Sequence, residues 1–214
     1  MRLDSPPRVL ITGAGTGIGR ACAEAMASRG AELILCDNDA QTLREATDEL
    51  GAVGRFCDVA SEASVAVFAA DIIETFRSLD LLINAAGGGY ERTLGMYRVS
   101  RALLPALRRG SHFKLMLNVP PEEDAGVAIF PYASSGQAFQ RLSAALAAET
   151  KGTGVDVLIG NPETCRISQV VPDPNAGPNA AIYGMAKRTP GGGSLVSQIA
   201  DLLGPGQWER QQAG

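Results

Sequence analysis

Short apolar runs alternate with amphipathic segments through the first 160 residues of the chain. RVLIT (8–12), AELILC (31–36), VGRFC (53–57), LDLLI (79–83), FKLMLNV (113–119) and VDVLIG (155–160) read as strands. After the first of them, Ile18, Ala21, Cys22, Ala25 and Met26 recur at the spacing of one helical face. Segments 39–50, 61–77, 94–109 and 134–149 carry helical patterns as well. Such alternation predicts a single α/β domain, a doubly wound parallel sheet with right-handed crossovers. No internal repeat and no linker divides it. Residues 161–193 are rich in Pro, Gly and Asn, which predicts a long irregular loop. A last helix near 194–203 and a tail to residue 214, at most a stunted strand, complete the pattern.

Composition narrows the picture only a little. Of 214 residues, 45% are hydrophobic and 20% charged, as in an ordinary soluble globular protein. A net charge of −4 argues against a nucleic-acid partner, because phosphate neutralisation needs clustered Lys and Arg. Without an 18-residue apolar stretch or an opening signal peptide, the expectation is a cytoplasmic protein with no membrane span. Cys22, Cys36, Cys57 and Cys165 show no metal spacing, and the single histidine, His112, has no partner for a metal site. Cys36 and Cys57 end apolar runs and read as small buried hydrophobes. No metal is expected.

Candidate chemistry begins at ITGAGTGIGRA (11–21), where Gly13, Gly17 and Gly19 follow a strand and open a helix. Glycines at this spacing tighten the turn, admit a pyrophosphate to the backbone and let helix pack on strand. The helix N-terminus then offers free N–H groups and a positive dipole end. Asp37 ends the second strand, placed to accept the hydroxyls of an adenosine ribose and to repel a 2′-phosphate. Thr16 supplies no cation to offset that repulsion, so NAD(H) is expected in preference to NADP(H). Asp58-Val59 after the third strand is placed to border an adenine, although Asp58 reads equally well as a helix cap. NAAG (84–87) after the fourth strand brings small residues to the strand ends, where a cofactor can lie across them.

With these motifs in this order, together with a helix opened by YASSG (132–136), the chain resembles the short-chain dehydrogenase/reductase family. The resemblance covers residues 8 to about 165 and implies a Rossmann-type fold. It also implies an NAD site lined by Gly13, Gly17, Ile18, Gly19, Asp37, Asp58, Val59, Asn84, Ala85 and Gly87. In that family a tyrosine exchanges a proton with the substrate oxygen. A lysine four residues later lowers the phenol pKa, a serine after the fifth strand holds the oxygen, and an asparagine supports a proton relay.

Tyr132 matches the tyrosine, and the other three positions depart from the pattern. Gly136 stands for the lysine, Pro120-Pro121 for the serine pair, and Arg92 falls nearest the asparagine. An unassisted phenol has a pKa of about 10, so roughly one in a thousand is ionised at pH 7. Lys151 and Lys187 have no spacing that brings them to the site, and Ser134 and Ser135 read as helix caps. The family's P-G-x-x-x-T-like stretch becomes NPETC, with Glu163 at the glycine, and the region around substrate reads as truncated.

Two readings follow. One is an inactive or impaired NAD(H)-binding subunit, a pseudoenzyme that assembles with an active homologue. The other is a working oxidoreductase, interconverting carbonyl and alcohol, with an altered site centred on Tyr132. Helices 94–109 and 134–149 form the dimer interface in the resembling family. Here they carry Leu103, Leu104, Leu107, Phe139, Leu142, Ala145 and Leu146 on more than one side. A homo- or hetero-oligomer through these helices is therefore expected.

Overall fold

A computed structural model describes residues 5–87, 89–111, 114–120, 135–161, 166–172, 183–185 and 194–202. The elements are β1 (Arg8–Thr12), α1 (Gly17–Ser28), β2 (Glu32–Asp37), α2 (Ala40–Leu50), β3 (Val53–Phe56), α3 (Glu62–Phe76) and β4 (Leu81–Asn84). There follow α4 (Gly89–Leu107), β5 (Leu115–Asn118), α5 (Ser135–Thr150), β6 (Asp156–Asn161), β7 (Arg166–Pro172), β8 (Tyr183–Met185) and α6 (Leu195–Asp201). The strand order is β3-β2-β1-β4-β5-β6-β7-β8. The first six strands in that order run parallel, and β7 and β8 join antiparallel.

The six expected strands are all present, and their continuous apolar runs have the reason foreseen. A parallel sheet is covered on both faces, so its strands are apolar throughout rather than alternating. Leu10, Ile34 and Leu82 bury on one face with α3 and α4 residues such as Phe68, Ile72 and Leu103. Val9, Ile11, Leu35, Leu81 and Ile83 bury on the other with Cys22 and Met26 of α1 and Ile199 of α6. Asp80 anchors the lower edge: its carboxylate accepts from the Arg8 N–H at 2.9 Å and from the Ser111 N–H at 2.9 Å.

Two expectations need correction. The stretch 161–193 is not wholly irregular, because β7 and β8 lie within it. RISQVV buries Ile167 and Val170, a β-branched signal that the surrounding Pro and Gly obscured. The helix expected over 94–109 begins earlier, at Gly89. The connection after Gly87 is thus shortened by an early helix start, which puts Arg92 inside α4. The helix expected near 194–203 forms as α6, capped by Ser194, whose side chain accepts from the Ser197 N–H at 3.2 Å.

Candidate cofactor site

Backbone contact between two turns sets the upper rim of the sheet. Gly13 takes φ +67°, and a Cβ there would lie 2.7 Å from the backbone of Ala86. A Cβ on Gly19 would collide with the Gly13 carbonyl, so α1 can approach its own turn only through glycine. The NAAG segment is tied to the glycine turn by the Ala85 N–H donating to Thr12 O at 3.3 Å and the Ala86 N–H to Thr12 Oγ1 at 3.3 Å. Thr12 is itself buried. The two motifs identified separately in sequence are one structural unit.

The first turn of α1 is left open to an anion. Thr16 is the N-cap residue, with extended backbone, and its side chain makes no capping hydrogen bond. No acidic residue lies in that turn. Gly17 takes φ +56° with open space where a side chain would stand. Unpaired N–H groups at a helix start carry partial positive charge, so this end suits a pyrophosphate. Ile18 beside it is half-buried against the core, and Gly19 is buried.

Asp37 does more than wait for a ribose. Its Oδ2 accepts from the Gly15 N–H at 2.8 Å, and its Oδ1 accepts from the N–H groups of Asn38 at 2.8 Å and Asp39 at 3.1 Å. The carboxylate therefore buckles the glycine turn onto the end of β2. Two oxygens have about four acceptor sites, and with three taken by N–H groups capacity remains for one ribose hydroxyl. Gly15 is part of the same turn, and the glycine spacing in the sequence does not single it out. Its signal is the lack of room, since a Cβ there would lie 3.0 Å from Asp37 Oδ2 and clash with Thr42.

Arg20, just after the glycine turn, offers little to a 2′-phosphate. Arg20 is paired with Glu24 at 2.8 Å and with Glu49, which leaves its guanidinium occupied by two carboxylates. The Glu24 hydrogen bond first, and Glu49 after it, raise its pKa above the ordinary arginine value against the lowering effect of burial.

Asp58 resolves towards its structural role. Its Oδ1 accepts from the Ala60 N–H at 3.0 Å, closing the turn before α3, while the N-cap of α3 is Ser61. Val59 turns its side chain into the core, 6% exposed, and Asn84 turns inward at 2%. The Asn84 Nδ2 donates to Ser100 Oγ at 3.0 Å and to Asn118 Oδ1 at 2.8 Å. Asn118 Nδ2 donates onward to Ser143 Oγ at 3.3 Å. This fully buried chain joins β4, α4, β5 and α5. Ala85 and Gly87 remain half-buried at the strand end.

The reacting side of the site looks different. β5 ends at Asn118, and the Val119 N–H is spent on Asn84 O at 2.9 Å. Pro120 follows, with neither a hydroxyl nor an N–H to offer. Gly136 is the second residue of α5. Tyr132, Pro121, Ser134, Glu163, Lys187, His112 and Cys165 lie outside the described residues. Lys151 sits in the turn after α5 and is exposed.

The apolar argument for an oligomer needs correction. Leu103, Leu104, Leu107, Phe139 and Leu146 are buried within the single chain, and Leu142 is half-buried against the same core. Toward solvent, α4 and α5 present Arg101, which bridges Glu149 at 3.0 Å, and Tyr97, whose hydroxyl donates to Glu149 at 2.6 Å. Glu149 holds the Tyr97 phenol pKa up. Among the described residues no helix is long and apolar enough to cross a membrane.

Comparison with known proteins agrees with this architecture. The short chain dehydrogenase family profile matches residues 7–176. The L-fucose dehydrogenase of Oryctolagus cuniculus is 30% identical over 193 residues, covering 78% of this chain and 68% of that protein. The dehydrogenase/reductase SDR family member 7B of Rattus norvegicus is 28% identical over 230 residues, covering 91% and 69%. For the Bos taurus member 7B, the chain spans only 56% of the relative's length. A short-chain dehydrogenase structure from Streptomyces avermitilis superposes with TM-score 0.61 at 30% identity, covering 73% of this chain and 65% of that one. A Pseudomonas aeruginosa RhlG/NADP active-site complex gives 0.64 at 24%, covering 73% and 71%, a likeness of fold alone.

Proposed function

The chain belongs to the short-chain dehydrogenase family, and from that premise we propose that it binds NAD(H) as a catalytically impaired subunit. The observation that carries the proposal is the contrast at the strand ends. An uncapped helix start and the Asp37 carboxylate meet at β1 and β2, whereas β5 is followed by Val119-Pro120, which leave no free donor. The residues present fit the cofactor. The first turn of α1 would hold its pyrophosphate, Asp37 its adenosine ribose, and the Ala85–Gly87 segment the middle of the molecule. When bound, the nicotinamide supplies or accepts a hydride. For a substrate oxygen the sequence motif offers Tyr132, which lies outside the described residues.

The missing contacts matter quantitatively. A general acid–base or oxyanion contact is typically worth on the order of 10²-fold or more. Without the family's serine and lysine, positioning is the main remaining source of rate. NAD(H) is preferred over NADP(H) in this reading because Asp37 repels a 2′-phosphate and Arg20, just after the glycine turn, is already paired with two carboxylates. The reading also includes a cytoplasmic setting, in keeping with the free thiols Cys22, Cys36 and Cys57. It includes an oligomer through α4 and α5, with itself or with an active homologue. The family resemblance supports this assembly, and α4 and α5 offer it the polar Tyr97–Arg101–Glu149 face.

Isothermal titration with NAD+ and NADP+, followed by turnover assays on a panel of carbonyls and alcohols, tests the proposal. Tight NAD+ binding with negligible turnover is expected. The second reading is a working carbonyl/alcohol oxidoreductase centred on Tyr132. It is favoured by the 30% identity to an L-fucose dehydrogenase. Robust turnover that disappears in Tyr132→Phe would establish it instead.

A further inference from the structure

Two helices start beside the Asp37 carboxylate, and they meet an anion on different terms. The first turn of α1 has neither a side-chain cap nor an acidic residue. The start of α2 is closed by Asp39, whose Oδ1 accepts from the Gln41 N–H at 2.9 Å and from the Thr42 N–H at 3.0 Å. Its Oδ2 makes no hydrogen bond among the described residues. The N–H groups that an incoming phosphate would use at this helix start are therefore taken by the chain's own carboxylate. The Thr42 N–H first, and the Gln41 N–H after it, hold the Asp39 pKa below the usual carboxylate range against the opposing effect of desolvation.

The same helix start lies against the ribose-binding end of β2. A Cβ on Gly15 would clash with Thr42 Oγ1 and lie 3.0 Å from Asp37 Oδ2, so the glycine turn, the Asp37 carboxylate and the first turn of α2 converge on one spot. The Asp39 N–H donates to Asp37 Oδ1 at 3.1 Å, which ties the cap to that carboxylate. A group carried on a ribose held by Asp37 thus meets the first turn of α2 as its neighbour.

We propose that Asp39 is a second specificity-determining residue of the cofactor site, closing the start of α2 to the 2′-phosphate of NADP(H). The inference rests on the NAD(H) reading above and adds a residue to it. A phosphate monoester carries about −1.5 to −2 charge at pH 7 and offers almost only acceptors. Between Asp37 and Asp39 it meets two carboxylates and finds no free N–H of α2. A 2′-hydroxyl is neutral and has a proton to donate, so the same surroundings admit it. Neither nearby arginine offsets the repulsion: Arg20 is paired with Glu24 and Glu49, and Arg44 of α2 lies 3.7 Å from Asp48. Asp39 is exposed, so its share of the discrimination is open to screening by salt.

The test titrates the full chain, Asp39→Asn and Asp39→Ser with NAD+ and with NADP+, each at low and at high salt. Asn and Ser are as good at a helix start as Asp, so α2 keeps its cap while the charge is removed. The ratio of NADP+ to NAD+ affinity should rise several-fold in both variants, and the gain should shrink at high salt. Asp37→Asn combined with Asp39→Asn should raise the ratio further than either change alone. An unchanged ratio in both Asp39 variants, with NAD+ still bound, overturns the inference and leaves the NAD(H) reading standing. An equal loss of affinity for both cofactors makes Asp39 a structural cap and overturns it as well. Should the wild-type chain bind neither dinucleotide, the cofactor reading falls and this inference falls with it.

Discussion

The ends of β1, β2 and β4 and the end of β5 belong to one sheet, yet they are built on opposite terms. At the first three, turns are locked by backbone contact, Asp37 gathers three N–H groups, and the helix start beside them is left uncapped. At β5, the last polar side chain, Asn118, turns inward to Asn84 and Ser143, and Pro120 follows. The fold needs β5 for packing as much as it needs β1: Leu115, Met116 and Leu117 are all buried. The difference therefore lies in what the strand end presents, not in how well the strand is held. A cofactor platform and a reacting group depend on separate residues, and the proposed impairment rests on that separation.

The largest effect that tests this contrast is expected at Gly19. An alanine there drives a Cβ into the Gly13 carbonyl, backbone against backbone, with the carbonyl carbon at 2.7 Å. Overpacking of this kind costs about 3 kcal/mol, which a urea midpoint would register. Tolerance of Gly19→Ala would mean that the glycine turn is looser than described. Next comes Asn118→Ala, which strips the Asn84 amide of an acceptor and Ser143 of a donor in a dry interior. A loss of about 2 kcal/mol is expected, with NAD+ affinity little changed. A selective loss of affinity would move Asn118 from scaffold to site.

The sequence made the sheet readable because a parallel strand buried on both faces needs an unbroken apolar run, and six such runs stand in order. It made the glycine turn readable because close backbone approach excludes every other residue. Three things escaped it. Gly15 is required by the position of Thr42, a long-range contact that no local spacing records. Asn84 and Val59 match cofactor motifs by position, but their side chains face inward, and direction is a tertiary property. β7 escaped because Pro162 precedes it and Pro172, Pro174 and Gly177 crowd its end in sequence, residues that weigh against any strand.

A smaller effect separates the two duties of Asp37. Asp37→Ala removes ribose acceptors and also releases the Gly15 N–H from its 2.8 Å bond. Titration should show NAD+ binding weakened by about 1.5 kcal/mol, the value of hydrogen bonds to a charged acceptor. Asp37→Asn keeps one oxygen for the turn and lowers the repulsion of a 2′-phosphate. Its NADP+ affinity should rise towards that for NAD+. Unchanged preference in Asp37→Asn would locate the discrimination elsewhere.

The smallest expected effect lies on the other side of the comparison, at Gly136. It is the second residue of α5, where the resembling family places a lysine. Were Gly136 retained for a cofactor contact through its backbone, a methyl group there would disturb binding. Were it a position released from catalysis, only helix energetics would remain. Glycine in a helix loses more backbone freedom on folding than alanine does, and near a terminus the difference is about 0.5 kcal/mol. Gly136→Ala should therefore raise stability by about that amount and leave NAD+ affinity and residual turnover unchanged. The sign is opposite to that at Gly19, although the substitution is the same. Loss of NAD+ affinity in Gly136→Ala would return this residue to the cofactor site and erase the contrast between the two regions.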